Sequence, residues 1–235
     1  MKIVVVLPAY NCAKSLKQTI SEIPHEVINE IVLVDDCSSD DTLIVAKECC
    51  INHVIRHNKN LGYGANQKTC YDKALDLDAD IIIMLHPDYQ YNPRLITLLI
   101  EKIIQGADIV LASRMTKGIE AIKNGMPLYK YYCNKALTKF QNICFNKHLS
   151  EYHTGYRAYK KEVLESLMYH NFSDDFIFDN QVIIEAFSQK YDIQEIYCPA
   201  RYDNFSSSIN FLRSAKYGCQ IIYYTLKYLL KKNKK

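Results

Sequence analysis

The sequence has no tryptophan, no pair of cysteines at C-x-x-C spacing and no apolar run long enough to cross a membrane. Its nine cysteines are scattered along the chain, which fits neither a disulfide framework nor a zinc site, so we expect reduced thiols. A membrane-spanning helix needs roughly 18 apolar residues, and we therefore expect a soluble or peripheral protein. The formal net charge of +3 is too small to indicate a nucleic-acid partner.

The chain has 235 residues, of which 49% are hydrophobic and 23% are charged, so it can form one large domain with an ample core. We find neither an internal repeat nor a linker, and expect a single domain with an elaborated C-terminal half. Residues 3–7 are apolar and end at Pro8 without a small-residue cleavage pattern. They predict a first core strand rather than a signal peptide, and hence a cytoplasmic location.

Strands and helices alternate in the first half of the sequence. Hydrophobic periodicity predicts strands at residues 3–7, 31–34, 54–55, 81–85 and 108–112, and helices at 15–23, 38–50, 63–75 and 93–106. Ser38 or Ser39 can cap the second helix, and Pro93 opens the fourth. Such alternation requires right-handed crossovers, so it predicts an α/β fold with a mostly parallel central sheet flanked by helices.

The second half has a different pattern. We expect a flexible loop at residues 118–125, helices at 127–145, 161–168 and from about 174 to 189, a last strand at 193–198 and a long final helix at 209–232. Residues 149–159 form a dense polar and aromatic stretch to which the pattern assigns no strand. The boundary between the main domain, 1–208, and the C-terminal helix with its basic tail, 209–235, follows from this pattern.

Uncommon polar residues follow four of the predicted strands. Tyr10 and Asn11 follow the first, Asp35 and Asp36 the second, the segment 86–90 the fourth, and Arg114 the fifth. Ligands of parallel sheets bind beyond the carboxyl ends of the strands, so these residues predict one shared site. In the segment 86–90, His86, Asp88 and Gln90 alternate and would point the same way in an extended chain. They could converge on a metal ion or form a plain polar turn.

Five segments together resemble family 2 glycosyltransferases with the GT-A, Rossmann-like fold. They are VVVLPAYN (4–11), EIVLVDDCSSD (30–40), NLGYG (60–64), DIIIMLHPDYQYNP (80–93) and TGYR (154–157). The last segment is similar to the branch that uses polyprenyl or dolichyl phosphate. The resemblance implies transfer of a sugar from a nucleoside diphosphate sugar, usually with inversion and with Mg or Mn.

The resemblance assigns binding of the nucleotide sugar to Pro8, Tyr10, Asn11, Asp35, Asp36, Lys68 and Arg114. The first three would hold the base and ribose, the two aspartates would accept hydrogen bonds from them, and the two cations could contact the diphosphate or the sugar. The family carries Asp-x-Asp, often followed by x-Gln, where this chain has His86, Asp88 and Gln90. Because imidazole suits Mn better than Mg, we expect Mn ahead of Mg. Either Asp88 carries the ion with Gln90 and phosphate oxygens, or His86 donates directly to a phosphate.

Three residues are candidates for catalysis: Glu151, Asp179 and Arg157. Attack by a sugar hydroxyl needs a general base, whereas a phosphate oxygen that is already anionic does not. Glu151 matches the acidic residue that precedes the glycine in the polyprenyl-phosphate branch. Asp179 is the other candidate for the base, and it could instead be a helix N-cap. The fork of Arg157 suits a phosphate or a carboxylate.

The final helix combines apolar, tyrosine and lysine residues, a composition that suits an anionic membrane surface but also a core-packing helix with a solvated tail. We therefore expect a cytoplasmic, peripheral glycosyltransferase that uses a UDP- or GDP-sugar and a lipid-phosphate or cell-surface glycan acceptor. With histidine at position 86, a regulatory or scaffolding subunit that binds a nucleotide sugar with weak catalysis is the alternative. The segment after the first strand lacks the glycine-rich signatures of nucleotidyltransferases and dinucleotide oxidoreductases.

Overall fold

The computed structural model describes residues 1–199, 201 and 211–232. The described residues form one seven-stranded sheet in the order β3-β2-β1-β4-β6-β5-β7. The strands are β1 (Ile3–Ala9), β2 (Glu30–Asp35), β3 (His53–Arg56), β4 (Ile81–Met84), β5 (Ile109–Ser113), β6 (Arg157–Lys160) and β7 (Ile193–Tyr197). Only β6 runs antiparallel to its neighbours, so the mostly parallel sheet predicted from the alternation is confirmed.

Helices cover both faces of this sheet. They are α1 (Ala13–Ser21), α2 (Thr42–Glu48), α3 (Tyr63–Asp76), α4 (Ile96–Ile104), α5 (Glu120–Lys123), α6 (Leu128–Phe145), α7 (Lys161–Ser166), α8 (Phe178–Ser188) and α9 (Phe211–Lys232). The predicted caps of α2 were wrong, since Asp41 and neither Ser38 nor Ser39 occupies the N-cap position. Pro93 opens a short 3-10 turn before α4 rather than the α-helix itself.

The central strand β1 is buried along its whole length. Its side chains alternate between two cores: Val4 and Val6 pack on the side of α3, α7 and α8, whereas Val5 and Leu7 pack on the side of α1 and α4. A strand buried on both faces needs a continuous apolar sequence, which is why residues 3–7 are readily recognised as a strand. Because β1 pairs in parallel with both β2 and β4, the carboxyl ends of these three strands lie side by side.

Two local predictions for the second half were wrong. Strand β6 lies within the polar and aromatic stretch and pairs antiparallel with both β4 and β5 through Ala158. It has four residues with a cation at each end, Arg157 and Lys160, so it carries no apolar run that identifies a strand. The expected loop at 118–125 contains the one-turn helix α5.

The last helix, α9, packs against α6 and α8 through buried polar residues. The Gln141 amide nitrogen lies 3.1 Å from Asn180 Oδ1 and 3.2 Å from Thr225 Oγ1. Within the ranges given above, no helix combines the length and hydrophobicity that a membrane crossing requires. The predicted helix start at Ile209, the boundary at 208 and the tail at 233–235 lie outside the described residues.

Candidate functional site

Two cavities meet where the parallel strands end. The strand-end cavity, about 470 Å³, is bounded by the segments that follow β1, β2 and β4 and by one side of α9. The helical cavity, about 570 Å³, lies between α6, α9 and the segment that precedes β6. Five residues line both cavities and form what we call the junction: Tyr63, His86, Asp88, Phe176 and Tyr217.

The segments that follow β1 and β2 are tied together beside the strand-end cavity, which Pro8, Tyr10 and Asn11 line. Asn11 has a left-handed backbone conformation, with φ of 50°. Its N–H donates to Ser38 Oγ at 2.8 Å, and its Oδ1 accepts from the Ser39 N–H at 2.9 Å. The left-handed turn thus directs the backbone N–H and the side-chain oxygen of Asn11 toward the loop that follows β2. Tyr10 remains 54% exposed, so its ring is free for a planar ligand.

Asp36 holds the loop that precedes α3 against the strand-end cavity. Its carboxylate accepts hydrogen bonds from the backbone N–H groups of Leu61 at 2.8 Å and Gly62 at 2.9 Å, and it lies 2.8 Å from His57 Nδ1. Gly62 has φ of 102°, and a Cβ there would lie 2.7 Å from the Asp174 carbonyl oxygen. A glycine is therefore required where this loop passes the 173–176 segment.

Asp35 is fully buried and lines neither cavity, in contrast to its neighbour. Its two carboxylate oxygens accept from the Ser38 N–H at 3.3 and 3.2 Å, and one lies 3.6 Å from Arg56 Nε. The structure gives Asp35 a role in shaping the loop that follows β2. Its expected contact with a nucleotide has no support from this position.

Lys68 is likewise not among the described residues that line the two cavities. Its amino group donates to the carbonyl oxygens of Phe172 at 2.6 Å and His170 at 3.3 Å, and to Asp174 Oδ1 at 2.7 Å. Lys68 thus fixes the 170–174 segment onto α3. The structure does not bring it to the place expected for a diphosphate.

The junction contains a chain of three hydrogen-bonded side chains. Tyr63 donates its hydroxyl proton to Asp179 Oδ2 at 2.6 Å, and the same hydroxyl lies 3.0 Å from His86 Nε2. Burial, together with the charge of Asp179, raises the pKa of Tyr63 well above its ordinary value. Burial lowers the pKa of His86, although the charges of Asp88 and Asp179 oppose this. Burial thus favours the neutral imidazole.

The three predicted metal ligands lie together at the junction and its rim. His86 and Asp88 line both cavities, Gln90 lines the helical cavity, and the Gln90 N–H donates to Asp88 Oδ1 at 3.1 Å. Over the part of the chain that the structure describes, no three His, Cys, Asp or Glu side chains cluster as a metal site. Cations that bind substrate phosphates commonly take only one or two protein carboxylates. Asp88 and His86 therefore fit a cation whose other ligands come from a diphosphate.

Glu151 lies beneath the helical cavity and is completely buried. The Arg114 side chain binds it through Nε, at 3.0 and 3.2 Å, and through a short contact from its terminal nitrogen, while the Arg114 N–H donates at 2.9 Å. Burial would raise the pKa of Glu151, but the charge and hydrogen bonds of Arg114 lower it below its ordinary value. A carboxylate held in this way is a poor proton acceptor, and Glu151 lines neither cavity.

Asp179 differs from Glu151 because it lines the helical cavity. It lies inside the first turn of α8, whose N-cap position is Ile177, so the N-cap alternative was wrong. The fully buried Arg157 supports it from below: one guanidinium nitrogen donates to the Asp179 carbonyl oxygen at 2.8 Å and lies 3.6 Å from Oδ1. Arg157 lines neither cavity, which places it behind the site.

The helical cavity contains residues to which the sequence analysis assigned no role. Its apolar wall comes from Met126, Ala136, Leu137 and Ile222. His153 contributes a buried imidazole whose Nδ1 lies 3.3 Å from the Tyr217 hydroxyl, and burial lowers its pKa to about 4. These residues come from the segment before α6, from α6 and α9 and from the loop before β6, so only the packing of distant elements brings them together. Of the junction residues that the sequence analysis did not single out, Tyr63 lies within the NLGYG segment (60–64), so that motif could have indicated it.

The sequence profile described as Glycosyl transferase family 2 matches residues 4–168. Among curated relatives, a UDP-N-acetylglucosamine–dolichyl-phosphate N-acetylglucosaminyltransferase of Methanococcus voltae is 27% identical over 220 residues, which cover 87% of each chain. The dolichol-phosphate mannosyltransferase of Pyrococcus furiosus is 31% identical over 175 residues, which cover 71% of this chain and 48% of the relative.

The solved structures that resemble this one include glucosyl-3-phosphoglycerate synthase from Mycobacterium tuberculosis, in complex with Mn²⁺, uridine diphosphate and phosphoglyceric acid. The TM-score is 0.73, the sequence identity is 17%, and the superposition covers 97% of this chain and 78% of the synthase. At that identity the likeness establishes the fold alone. Since the family profile spans more than half of the sequence, the chain belongs to glycosyl transferase family 2 and is a glycosyltransferase with the GT-A fold.

Proposed function

We propose that this glycosyltransferase moves a sugar from a UDP- or GDP-sugar to a polyprenyl or dolichyl phosphate, with inversion. The observation that carries the proposal is the meeting of a polar and a largely apolar cavity at Tyr63, His86 and Asp88. The relatives named for transfer to dolichyl phosphate support the acceptor class. A lipid phosphate needs a polar cavity next to an apolar one, because its phosphate must reach the donor sugar while its first isoprene units avoid water.

The nucleotide is assigned to the strand-end cavity. Tyr10 supplies an exposed ring for the base, and Asn11 and Asp36 shape the wall beside it. Arg213 and Lys216 of α9 also line this cavity. They are the cations suited to a diphosphate there: Lys216 pairs with Asp175 at 2.9 Å, but that pair is exposed on the cavity wall, whereas the Lys68 amino group is bound away from the cavity.

A divalent cation held by Asp88, His86 and Gln90 would neutralise charge on the departing diphosphate. We favour Mn over Mg, because a nitrogen ligand is better tolerated by Mn. Asp179 is the carboxylate that faces the acceptor side, and it replaces Glu151 as our candidate for the base if the acceptor is a hydroxyl. A lipid phosphate attacks with an oxygen that is already anionic, so for that acceptor Asp179 orients Tyr63 instead of removing a proton.

The outer surface of α6 and α9, the helices that wall the helical cavity, also suits a membrane surface. Large apolar side chains on α6 and α9 remain exposed, among them Leu128 at 59%, Tyr132 at 63%, Leu226 at 45% and Leu230 at 66%. With the exposed Lys135, Lys139 and Lys227 of the same helices, they form an amphipathic surface of the kind that binds anionic lipid headgroups. We therefore infer peripheral association with the membrane that carries the acceptor. Flotation with neutral and anionic liposomes tests this part.

The decisive experiment is a transfer assay with UDP-N-acetylglucosamine, UDP-glucose and GDP-mannose as donors and undecaprenyl or dolichyl phosphate as acceptor. Each pair is run with Mn, Mg or EDTA, on the wild type and Asp88→Ala. We expect lipid-linked product from one donor class, more with Mn than with Mg, and a loss of at least about 100-fold in Asp88→Ala. Nucleotide binding without product from any pair would instead support a regulatory or scaffolding subunit.

A further inference from the structure

The hydrogen bonds around Tyr63 determine which nitrogen of His86 carries the proton. A tyrosine hydroxyl has a single proton, and the 2.6 Å distance to Asp179 Oδ2 is that of a hydroxyl donating to a carboxylate. Since that proton is used, the contact of 3.0 Å between the Tyr63 oxygen and His86 Nε2 requires Nε2 to be the donor. In the neutral form of the ring, this geometry puts the proton on Nε2 and leaves a lone pair on Nδ1.

The same surroundings hold the ring in place. Tyr63 stacks on it with centroids 5.4 Å apart and an angle of 20° between the planes. Gly155 packs against the Nε2 edge of the ring, because a Cβ there would lie 2.2 Å from Nε2. Nδ1 has no hydrogen-bond partner among the residues that the structure describes. A fixed nitrogen lone pair is thus left at the junction of the two cavities, two residues from Asp88.

This arrangement is characteristic of histidines that bind metals. Such a histidine donates its second N–H to a carboxylate, a carbonyl or a water, which fixes the tautomer and the ring orientation. In this chain the carboxylate of Asp179 acts through the Tyr63 hydroxyl. Arg157 lies 3.6 Å from Asp179 Oδ1, so a cation faces the carboxylate that accepts the Tyr63 hydrogen bond.

We propose that Tyr63 and Asp179 are positioning residues that hold His86 as the Nε2–H tautomer and leave Nδ1 as a nitrogen ligand for the divalent cation. The inference rests on the proposed function, since the cation is the one that would accompany the donor diphosphate. It explains how a chain with histidine in place of the first aspartate can retain a metal site. It also predicts that the site discriminates against Mg, which strongly prefers oxygen ligands.

Pulsed electron paramagnetic resonance of Mn²⁺ with uridine or guanosine diphosphate, whichever the wild type binds, tests the ligand directly. We expect ¹⁴N coupling to the bound Mn²⁺ in the wild type and its loss in His86→Asp, with the ratio of Mn to Mg affinity shifted toward Mg. Tyr63→Phe keeps the ring stack and removes only the hydroxyl, so its Mn affinity should fall by about 10- to 100-fold. The matched control is Tyr71→Phe, which removes another buried hydroxyl of α3, bonded to Gln67 and outside both cavities.

The tautomer of His86 can also be measured in the wild type without metal, so this test does not depend on whether any variant folds. The ¹⁵N shifts of His86 in the wild type with EDTA should show a protonated Nε2 and a bare Nδ1. The opposite tautomer, the absence of ¹⁴N coupling, or equal Mn affinities of Tyr63→Phe and Tyr71→Phe would overturn the inference. Sugar transfer that persists in the wild type under those results leaves the proposed function standing. Failure of the wild type to bind either uridine diphosphate or guanosine diphosphate refutes the function itself.

Discussion

The carboxylates on the two sides of the junction are stabilised in different ways. On the strand-end side, Asp36 is held by backbone N–H groups of the loop that follows β3. On the side of the helical cavity, Glu151 and Asp179 are each paired with an arginine that is buried or nearly so. Backbone donors are present whatever side chains a loop carries, whereas a buried ion pair needs both partners. The helical side is therefore more sensitive to single substitutions, and the strand-end side is easier to recognise from sequence.

The largest effect that this contrast predicts is on stability. Arg114→Met would leave Glu151 fully buried without its cation, which should lower the free energy of unfolding by about 3–5 kcal/mol. Lys160→Met is the control, because its pair with Asp108 is partly exposed, at 29% and 26%, and such pairs contribute about 0–1 kcal/mol. Urea unfolding measures both variants. Equal decreases in the free energy of unfolding would show that the buried Arg114–Glu151 pair contributes no more to stability than the partly exposed pair.

The next largest effect is on activity, and it compares a substitution at the junction with one elsewhere in the helical cavity. In Gly155→Ala the new methyl group would lie 2.2 Å from His86 Nε2 and 3.0 Å from the Tyr63 hydroxyl, so the ring must move. A displacement of about 1 Å at a reacting centre can cost about 100-fold in rate, and we expect a loss of that size in kcat/KM. Gly218→Ala is the matched control in the same cavity, where the nearest contact is an ordinary 3.8 Å to Leu137. A variant at 155 as active as that at 218 would contradict the tight packing of His86.

Much of the fold and part of the site could be predicted from sequence, and β1 shows why. A strand buried on both faces has a continuous apolar sequence, and parallel topology then requires that residues after β1, β2 and β4 meet at one edge. That logic located Tyr10, Asn11, Asp36, His86 and Asp88, all of which line the strand-end cavity.

The same logic failed where the neighbour of a residue comes from a distant part of the chain. Asp35 and Asp36 are adjacent in sequence, yet only Asp36 lines a cavity, because successive side chains leave a strand on opposite sides. Lys68 and Glu151 have the right chemistry, but partners 106 and 37 residues away occupy them. No local pattern encodes those partners, so their expected contacts with substrate could not be checked before the fold was known.

A charge in the apolar wall of the helical cavity tests whether the donor and the acceptor bind in separate cavities. In Ile222→Glu a carboxylate would line the helical cavity, and we expect the KM for a long-chain lipid phosphate to rise about tenfold, or about 1.4 kcal/mol. The KM for the nucleotide sugar should not change. Ile104→Glu, on an exposed position of α4 outside this cavity and away from α6 and α9, provides the comparison. A parallel rise in donor KM would mean that the two cavities are not used separately.

The smallest effect is expected from Lys68, and it decides between two roles for that residue. If Lys68 only fixes the 170–174 segment, Lys68→Met should cost about 1 kcal/mol of stability through its lost hydrogen bonds to Phe172 and Asp174. The KM for the donor should then change less than about threefold, since charge on the diphosphate is unaffected. Lys216→Met, which removes a cation that lines the strand-end cavity, should raise that KM more. A larger rise of the donor KM in Lys68→Met than in Lys216→Met would mean that Lys68 contacts the diphosphate. The 170–174 segment would then have to rearrange when the donor binds.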